Sequence, residues 1–519
     1  MGRLHKIFSW KSEGLSRTVL LLAFATGASQ VLALLRDRLL AGHFGAGREL
    51  DIYYAAFKVP DFLFATVGSL ISLSVLVPYL ARVFEQSEEV RKRFLSSVFT
   101  VFSFGMLIVS AIAFFLMPFI TRIIFPGFDL EATKQTVLLS RILLAQPILL
   151  SLSGFFGSIN QTALRFVAFA ASPILYNLGI IGGILFLVPK LGLMGLAIGV
   201  VVGAFFHFLA TVPFVVAEGH TPRLSKRIDF GLVRAVASKS LVRSLAFTSI
   251  QLVTTVFVSI ASTFHAGAIT LFTMAYNLQS VPLSAIGGSY SVATFPVLSK
   301  LFIKNEKGAF EEKLRTSIEE LFLATILLSG VAIALAPAGI LIIFKSGQFT
   351  IESASEVALA FRIFVFSLPA QALILFITRA FYAAGRTLLP VYVNTICAFF
   401  TMFLGFAIPM AIGQTGSISL LALAFTIGNL INATALLYLL NRSFPGVLSS
   451  FIFRLTRGLF SAITGGLLAF VVYISIVPAD SIFSLLLLGT ASAVIVGILG
   501  SVGMLEYLGF PAFTRIRER

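Results

Sequence analysis

The sequence predicts an all-α polytopic membrane protein with about fourteen transmembrane helices. Of its residues, 58% are hydrophobic and 12% are charged, which is about half the charged fraction of an average soluble domain. Apolar runs close to the ~20 residues needed to cross a bilayer recur from one end of the 519-residue chain to the other. The mean hydropathy of +1.00 agrees with these runs. We therefore expect a helical bundle that uses the whole chain.

The first apolar run begins after a basic N-terminal segment that resembles the start of a signal peptide. The run is too long for a signal peptide, however, and it continues into Arg36-Asp37-Arg38 without a small-residue cleavage site. We therefore interpret it as a retained first transmembrane helix. The predicted spans are 18–41, 52–81, 94–121, 136–159, 164–188, 192–217, 236–263, 268–298, 316–345, 355–383, 388–412, 416–441, 455–477 and 481–507.

The basic residues indicate how the chain crosses the membrane. Most lie in every second connection between spans, the pattern expected of cytoplasmic segments. An even number of spans then places both the N-terminus and the C-terminus in the cytoplasm. Because the net charge of +16 is spread over short connections rather than one soluble face, we expect no nucleic-acid partner.

Two copies of one six-helix unit are indicated by prolines that recur at a nearly constant spacing of 217 to 222 residues. The division predicted from this repeat is 1–217, 218–450 and an appended pair of helices in 451–519. Two six-helix halves are typical of transporters that work by alternating access. The matched prolines are Pro78 with Pro296, Pro173 with Pro390, and Pro60 with Pro282. Candidate bending points within spans are Pro60, Pro147, Pro282 and Pro369.

The candidate binding site is a group of charges at the outer half of spans 1 and 2. Ionised side chains at bilayer depth are costly and often mark a functional pathway. Adjacent helical residues point about 100° apart, so we expect Arg36 and Asp37 not to pair with each other. A cluster of Arg36, Asp37, Asp51 and Lys58 would suit a phosphate-bearing headgroup. The alternative is that these side chains tie helices together or extend to the membrane surface.

Other polar residues in the spans carry weaker hypotheses. Asn277 and Gln279 either line a cleft or bond between helices. Arg141, Arg362 and Arg379 lie near span ends, where we expect them to extend to the membrane surface. The histidines lack ligand spacing, so we expect no metal and no cofactor. Paired carboxylates and histidine clusters with useful spacing are missing from the sequence, which argues against a membrane enzyme.

Several short motifs, in order from about residue 18 to 510, resemble the lipid II flippases of the MurJ/MviN family. They are Val31–Asp37, Phe44–Gly47 with Asp51, Ala56–Pro60, Pro126–Phe128, Gly347–Thr350 and Arg379–Ala383 with Gly385 and Pro390. That family belongs to the multidrug/oligosaccharidyl-lipid/polysaccharide exporter superfamily. The resemblance implies transport of the undecaprenyl-pyrophosphate-linked peptidoglycan precursor across the inner membrane during cell wall biogenesis. The implied partners are that precursor, membrane lipids and other cell-wall synthesis proteins.

The resemblance also implies a cationic cavity that contains Arg36, Asp37 and Asp51. Gln30, Ala65 and Asn277 stand where the family usually has arginine. Either other cations such as Lys58 substitute for them, or the cargo differs. The alternatives are an exporter of another polyprenyl-linked oligosaccharide, a drug-cation antiporter, which should have acidic cavity residues, and an inactive membrane scaffold.

Overall fold

A computed structural model describes residues 15–68, 73–163, 165–217, 219–413, 416–449, 451–476 and 483–507. Within these ranges all regular secondary structure is helical, which confirms the all-α class. Within the described residues, nine helical stretches are long and apolar enough to cross a bilayer, or up to ten if one bent pair counts as a single span. Four of the nine consist of consecutive helices or π-helical turns. The number fourteen therefore stays a prediction. The chain forms two compact units, Met1–Ile269 and Thr270–Arg519.

The first unit contains twelve helices and the start of a thirteenth. They are α1 (Leu15–Phe44), α2 (Arg48–Ala56), α3 (Lys58–Thr66), α4 (Leu73–Phe84), α5 (Glu88–Ile124), α6 (Leu130–Leu143), α7 (Ala145–Thr162), α8 (Phe166–Gly182), a π-helical turn (Gly183–Leu187), α9 (Val188–Leu191), α10 (Leu193–Leu209), α11 (Val212–Ala217), α12 (Phe230–Ser262) and α13 (Ala268–Pro282). The second predicted span, 52–81, is thus divided among α2, α3 and α4 and is not one helix.

The second unit continues from α13 to the last described residue. Its elements are a π-helical turn (Leu283–Gly288), α14 (Ser289–Ile303), α15 (Lys307–Phe344), α16 (Ile351–Phe366), α17 (Leu368–Ala383), α18 (Leu388–Ile412), α19 (Ile418–Ser443), α20 (Phe451–Ile476) and α21 (Phe483–Tyr507). Helices α20 and α21 pack on each other and on α15. Small residues allow this contact, since a Cβ on Gly330 of α15 would lie 2.3 Å from the carbonyl oxygen of Ala462.

Four of the described helices begin at side chains that cap their free backbone N–H groups. One is α5, where Oγ of Ser87 accepts from the N–H of Val90. Asp129 accepts from Ala132 at the start of α6, Asp229 from Leu232 at α12, and Thr350 from Ser353 at α16. Each short polar residue replaces a hydrogen bond that the first turn of a helix lacks. These caps therefore help to set the residue at which each helix begins.

Prolines interrupt the spans near the positions that the sequence predicts. Helix α2 ends before Phe57, α6 before Leu144 and α16 before Ser367, each two or three residues ahead of a proline. The bend between α16 and α17 is 44°, which confirms the bending point at Pro369. Proline lacks the N–H that continues the helical ladder, so a break here is expected. The prolines at these breaks are Pro60, Pro147 and Pro369, and Pro282 ends α13 before a π-helical turn.

Five glycines form a seam between α8, its π-helical turn and α10. A Cβ on Gly183 would lie 2.5 Å from the Cα of Gly199, and one on Gly179 would lie 2.3 Å from the Cα of Gly203. Backbones that approach this closely leave no room for a side chain, which is a common way to pack membrane helices. Gly195 completes the seam against the backbone of Leu187.

Candidate functional site

Arg36 and Asp37 form an ion pair on α1. The Nε and Nη2 atoms of Arg36 donate to Oδ1 of Asp37 at 2.9 and 2.7 Å. The two side chains are 19% and 4% exposed. The expectation that these neighbours do not pair is therefore wrong. The Cα–Cβ bonds of the two residues diverge, but the long flexible stem of arginine lets its guanidinium turn back to the next carboxylate.

Asn177 of α8 holds this ion pair in place. Its Oδ1 accepts from Nη1 of Arg36 at 3.3 Å, and its Nδ2 donates to Oγ of Ser29 at 3.2 Å and to the carbonyl oxygen of Pro173 at 3.1 Å. The amide orientation follows from this arrangement, because only the oxygen can face a guanidinium. The sequence analysis does not place Asn177 at the site, so its role there is new.

Three tyrosines surround the ion pair, and the sequence analysis missed all of them. Tyr53 and Tyr54 of α2 and Tyr176 of α8 interact electrostatically with Arg36. The Nε2 atom of Gln146 donates to the hydroxyl of Tyr176 at 3.3 Å. Among the described residues, the hydroxyl of Tyr54 has no hydrogen-bond partner although it is buried. A tyrosine in an apolar run is usually interpreted as part of the hydrophobic core. The two adjacent tyrosines at positions 53 and 54 were the only sequence feature that could have indicated a polar site here.

Lys58 and Asp61 of α3 complete the charged part of the site. Both are half-buried and interact electrostatically with each other. Asp61 is also within electrostatic range of Tyr53 and Tyr176. We name the whole group the polar cluster. It consists of Arg36, Asp37, Tyr53, Tyr54, Lys58, Asp61, Tyr176 and Asn177.

Asp51 has a buried backbone contact that the sequence does not predict. It is 1% exposed, and its Oδ2 accepts from the backbone N–H of Gly267 at 2.7 Å. Gly267 directly precedes α13, so the carboxylate lies where a helix favours negative charge. The expected grouping of Asp51 with Arg36 and Lys58 stays a prediction, and Asp61 is a further carboxylate of the polar cluster. A role of Asp51 in binding substrate stays a prediction.

Asn277 lies in the second unit, on α13. It is half-buried, and its backbone carbonyl accepts from Oγ of Ser280 at 2.6 Å. Nearby, Gln279 accepts from Nε2 of Gln371 at 3.0 Å, so of the two hypotheses for Gln279 the structure supports bonding between helices. Gln30 and Ala65 are both half-buried in the first unit.

The polar cluster offers a ligand hydrogen-bond donors and balanced charge. Its two basic residues face two carboxylates, so with all four ionised the cluster is formally neutral. Three of the five guanidinium N–H groups of Arg36 are used by Asp37 and Asn177, which leaves two for a ligand. Such groups bind and orient a polar molecule without any covalent step.

A multi-pass helical protein with buried charges and hydroxyl groups inside its spans has the construction of a membrane transporter rather than an enzyme. The family profile described as lipid II flippase MurJ matches residues 40–493, and the chain belongs to that family.

Curated relatives and solved structures agree with this membership. The chain is 26% identical over 387 residues to the probable lipid II flippase MurJ of Rickettsia prowazekii, covering 73% of this chain and 75% of the relative. It is 25% identical over 512 residues to the corresponding protein of Bdellovibrio bacteriovorus, covering 97% and 96%. A structure of lipid II flippase MurJ in an inward closed conformation matches with a TM-score of 0.78 at 24% identity, covering 94% of this chain and 99% of that one. An inward-facing multidrug resistance MATE transporter has the same fold, with a TM-score of 0.67 at 15% identity and coverage of 81% and 96%.

Proposed function

We propose that this protein is a lipid II flippase, which moves the lipid-linked peptidoglycan precursor across the cytoplasmic membrane by alternating access. The observation that carries the proposal is the match of the family profile over residues 40–493. The activity is transport without covalent chemistry. Membrane lipids are further partners, and association with other cell-wall synthesis proteins is part of the proposal.

The polar cluster is the proposed contact for the cargo headgroup in the first unit. Arg36 would donate its two remaining N–H groups to a phosphate oxygen, and Lys58 would add a point charge. The tyrosine hydroxyls would donate to neutral parts of the headgroup. We keep Asp51 and Asn277 as proposed substrate-binding residues, although the hydrogen bond from Gly267 gives Asp51 a structural role as well.

The proposed organisation is a half in 1–217, a second half in 218–450 and an appended pair of helices in 451–519, with both termini in the cytoplasm. The recurrence of helix breaks ahead of Pro147 and Pro369 supports the repeat. The distribution of lysine and arginine among the connections supports the orientation.

Complementation of a bacterial strain depleted of its own lipid II flippase tests the function. We expect this chain to restore growth and normal cell shape, and we expect Arg36→Met to abolish the rescue. Lys92→Met is the matched control, because Lys92 is 66% exposed on α5 and should tolerate the change. Failure of the unaltered chain, with the protein present in the membrane, would contradict the lipid II assignment.

A second candidate function is export of another polyprenyl-linked oligosaccharide. It is favoured by the neutral charge balance of the polar cluster and by Gln30, Ala65 and Asn277 in place of arginines. A site with fewer cations binds a pyrophosphate less tightly. Competition of lipid II with polyprenyl monophosphate sugars for binding to the purified protein distinguishes the two. Preference for the monophosphate would support the second candidate.

A further inference from the structure

Two long helices carry a proline in their interior, and each proline frees one backbone carbonyl. Pro118 lies in α5 and Pro337 in α15. Because proline has no N–H, the carbonyl four residues earlier loses its helical partner. These carbonyls belong to Phe114 and Ile333. In the hydrocarbon region an unsatisfied carbonyl costs several kcal/mol, so each needs another donor.

An arginine from the following helix supplies that donor in both cases. Nε of Arg141 in α6 donates to the carbonyl oxygen of Phe114 at 3.1 Å. Nε of Arg362 in α16 donates to the carbonyl oxygen of Ile333 at 3.0 Å. The same atom therefore makes the same kind of bond in each of the two compact units. Arg362 follows Arg141 by 221 residues and Pro337 follows Pro118 by 219 residues, which matches the spacing of the sequence repeat.

At two other prolines in the spans, a serine hydroxyl supplies the donor. Pro60 frees the carbonyl of Ala56, which accepts from Oγ of Ser140 at 3.1 Å. Pro369 frees the carbonyl of Val365, which accepts from Oγ of Ser329 at 3.1 Å. Each donor comes from a different helix than the proline, so each bond ties two spans together.

We infer that Arg141 and Arg362 are equivalent positioning residues, which act through proline-freed carbonyls to stabilise α5 and α15 at their interior prolines. The expectation that they extend to the membrane surface stays a prediction, and the structure adds a backbone contact for each. Each bond joins a proline-containing helix to the next helix, α5 to α6 and α15 to α16. Each pair then moves as one rigid hairpin, and Pro118 and Pro337 do not act as hinges. We therefore do not assign Arg141 or Arg362 to the proposed cargo site.

A double-mutant cycle on the full-length protein tests the inference without any assumption about the cargo. Arg141→Met removes the donor and keeps an unbranched side chain. Pro118→Ala restores an N–H that can bond to the carbonyl of Phe114 within the helix. We expect Arg141→Met to lower the midpoint of thermal unfolding in detergent, and we expect that decrease to fall to less than half in the Pro118→Ala background. The same pattern is expected for Arg362→Met with Pro337→Ala.

Equal decreases in the two backgrounds would overturn the inference, because they would show that the arginines stabilise the fold independently of the freed carbonyls. Arg122→Met is the control, since Arg122 is exposed near the end of α5 and should be neutral in both backgrounds. If Arg141→Met does not accumulate, the amount of protein in the membrane becomes the measurement. Restored accumulation on adding Pro118→Ala supports the inference, and unchanged loss contradicts it. Phe114→Leu removes the aromatic ring, 4.6 Å from the guanidinium, and should leave the coupling intact.

Discussion

The ion pair between Arg36 and Asp37 allows stability and transport to be separated. Arg36→Met would leave the Asp37 carboxylate, whose side chain is 4% exposed, without its cation. Asp37→Asn would leave the guanidinium with only neutral acceptors, the amide oxygen at position 37 and that of Asn177, so its charge would be unpaired. Changing both residues at once removes both charges, so neither is left buried and unpaired.

The expected magnitudes follow from the burial of the pair. Removing one partner of a buried ion pair costs about 3–5 kcal/mol, because the other charge stays desolvated. Removing both partners is often nearly neutral. For Arg36, which is 19% exposed, the cost of leaving it unpaired should fall at the lower end, about 3 kcal/mol. The double variant should therefore be more stable than either single variant.

Chemical unfolding in detergent measures these costs, and growth complementation measures transport. We expect the double variant to recover stability yet to fail in complementation, because the donors proposed to bind the headgroup are lost. Lys92→Met is the exposed control, with no change in either measurement. Destabilisation of the double variant equal to the sum of the two single variants would refute the buried-pair reasoning. Full transport by the stable double variant would remove Arg36 from the proposed cargo site.

Three further predictions concern other contacts. Gly183→Val should lower the free energy of unfolding by about 3 kcal/mol or more, because the new side chain has no room beside Gly199. Gly182→Ala is the control and should be tolerated, because the space around Gly182 is open. Membrane accumulation and thermal unfolding compare the two variants. Asp51→Ala should lower the free energy of unfolding by about 1.5–3 kcal/mol, because the N–H of Gly267 loses its acceptor. Asp51→Asn should lower it less, because an acceptor oxygen remains. Equal decreases for the two variants would argue against the bond to Gly267. Tyr54→Phe should leave thermal stability unchanged because the hydroxyl has no partner among the described residues, so any loss of complementation would assign that hydroxyl to cargo binding.

The sequence predicted the fold well where one physical effect dominates. Apolar length identifies the membrane class, and the missing N–H of proline predicts the break ahead of Pro369. The break at Phe57 lies near the predicted bending point Pro60, but the second division of span 52–81, between α3 and α4, was not predicted because no proline marks it. Hydropathy measures how well a segment suits lipid and does not show where its axis turns.

The site was predicted less completely, for two physical reasons. Arg36 and Asp37 were expected to stay apart because helix geometry fixes the direction of Cβ only, whereas the guanidinium is several bonds further out. The bond from Gly267 to Asp51 joins residues 216 positions apart, and no local pattern signals such a contact. Tyr53 and Tyr176 were missed because the aromatic ring suits lipid and core alike, so only their neighbours show that the hydroxyl ends meet charge.

The bond between Asp51 and Gly267 also has a consequence for biogenesis. Asp51 enters the membrane early, but its partner is synthesised 216 residues later. At about 5–20 residues per second, the carboxylate waits about 10–45 s for the N–H that it accepts. During that interval the earlier helices are already inserted while the start of α13 is not yet made. Synthesis of Gly267 then completes this contact within the first unit, so a ribosome that stalls before residue 267 should leave the Asp51 carboxylate without this donor and the unit more accessible to membrane proteases.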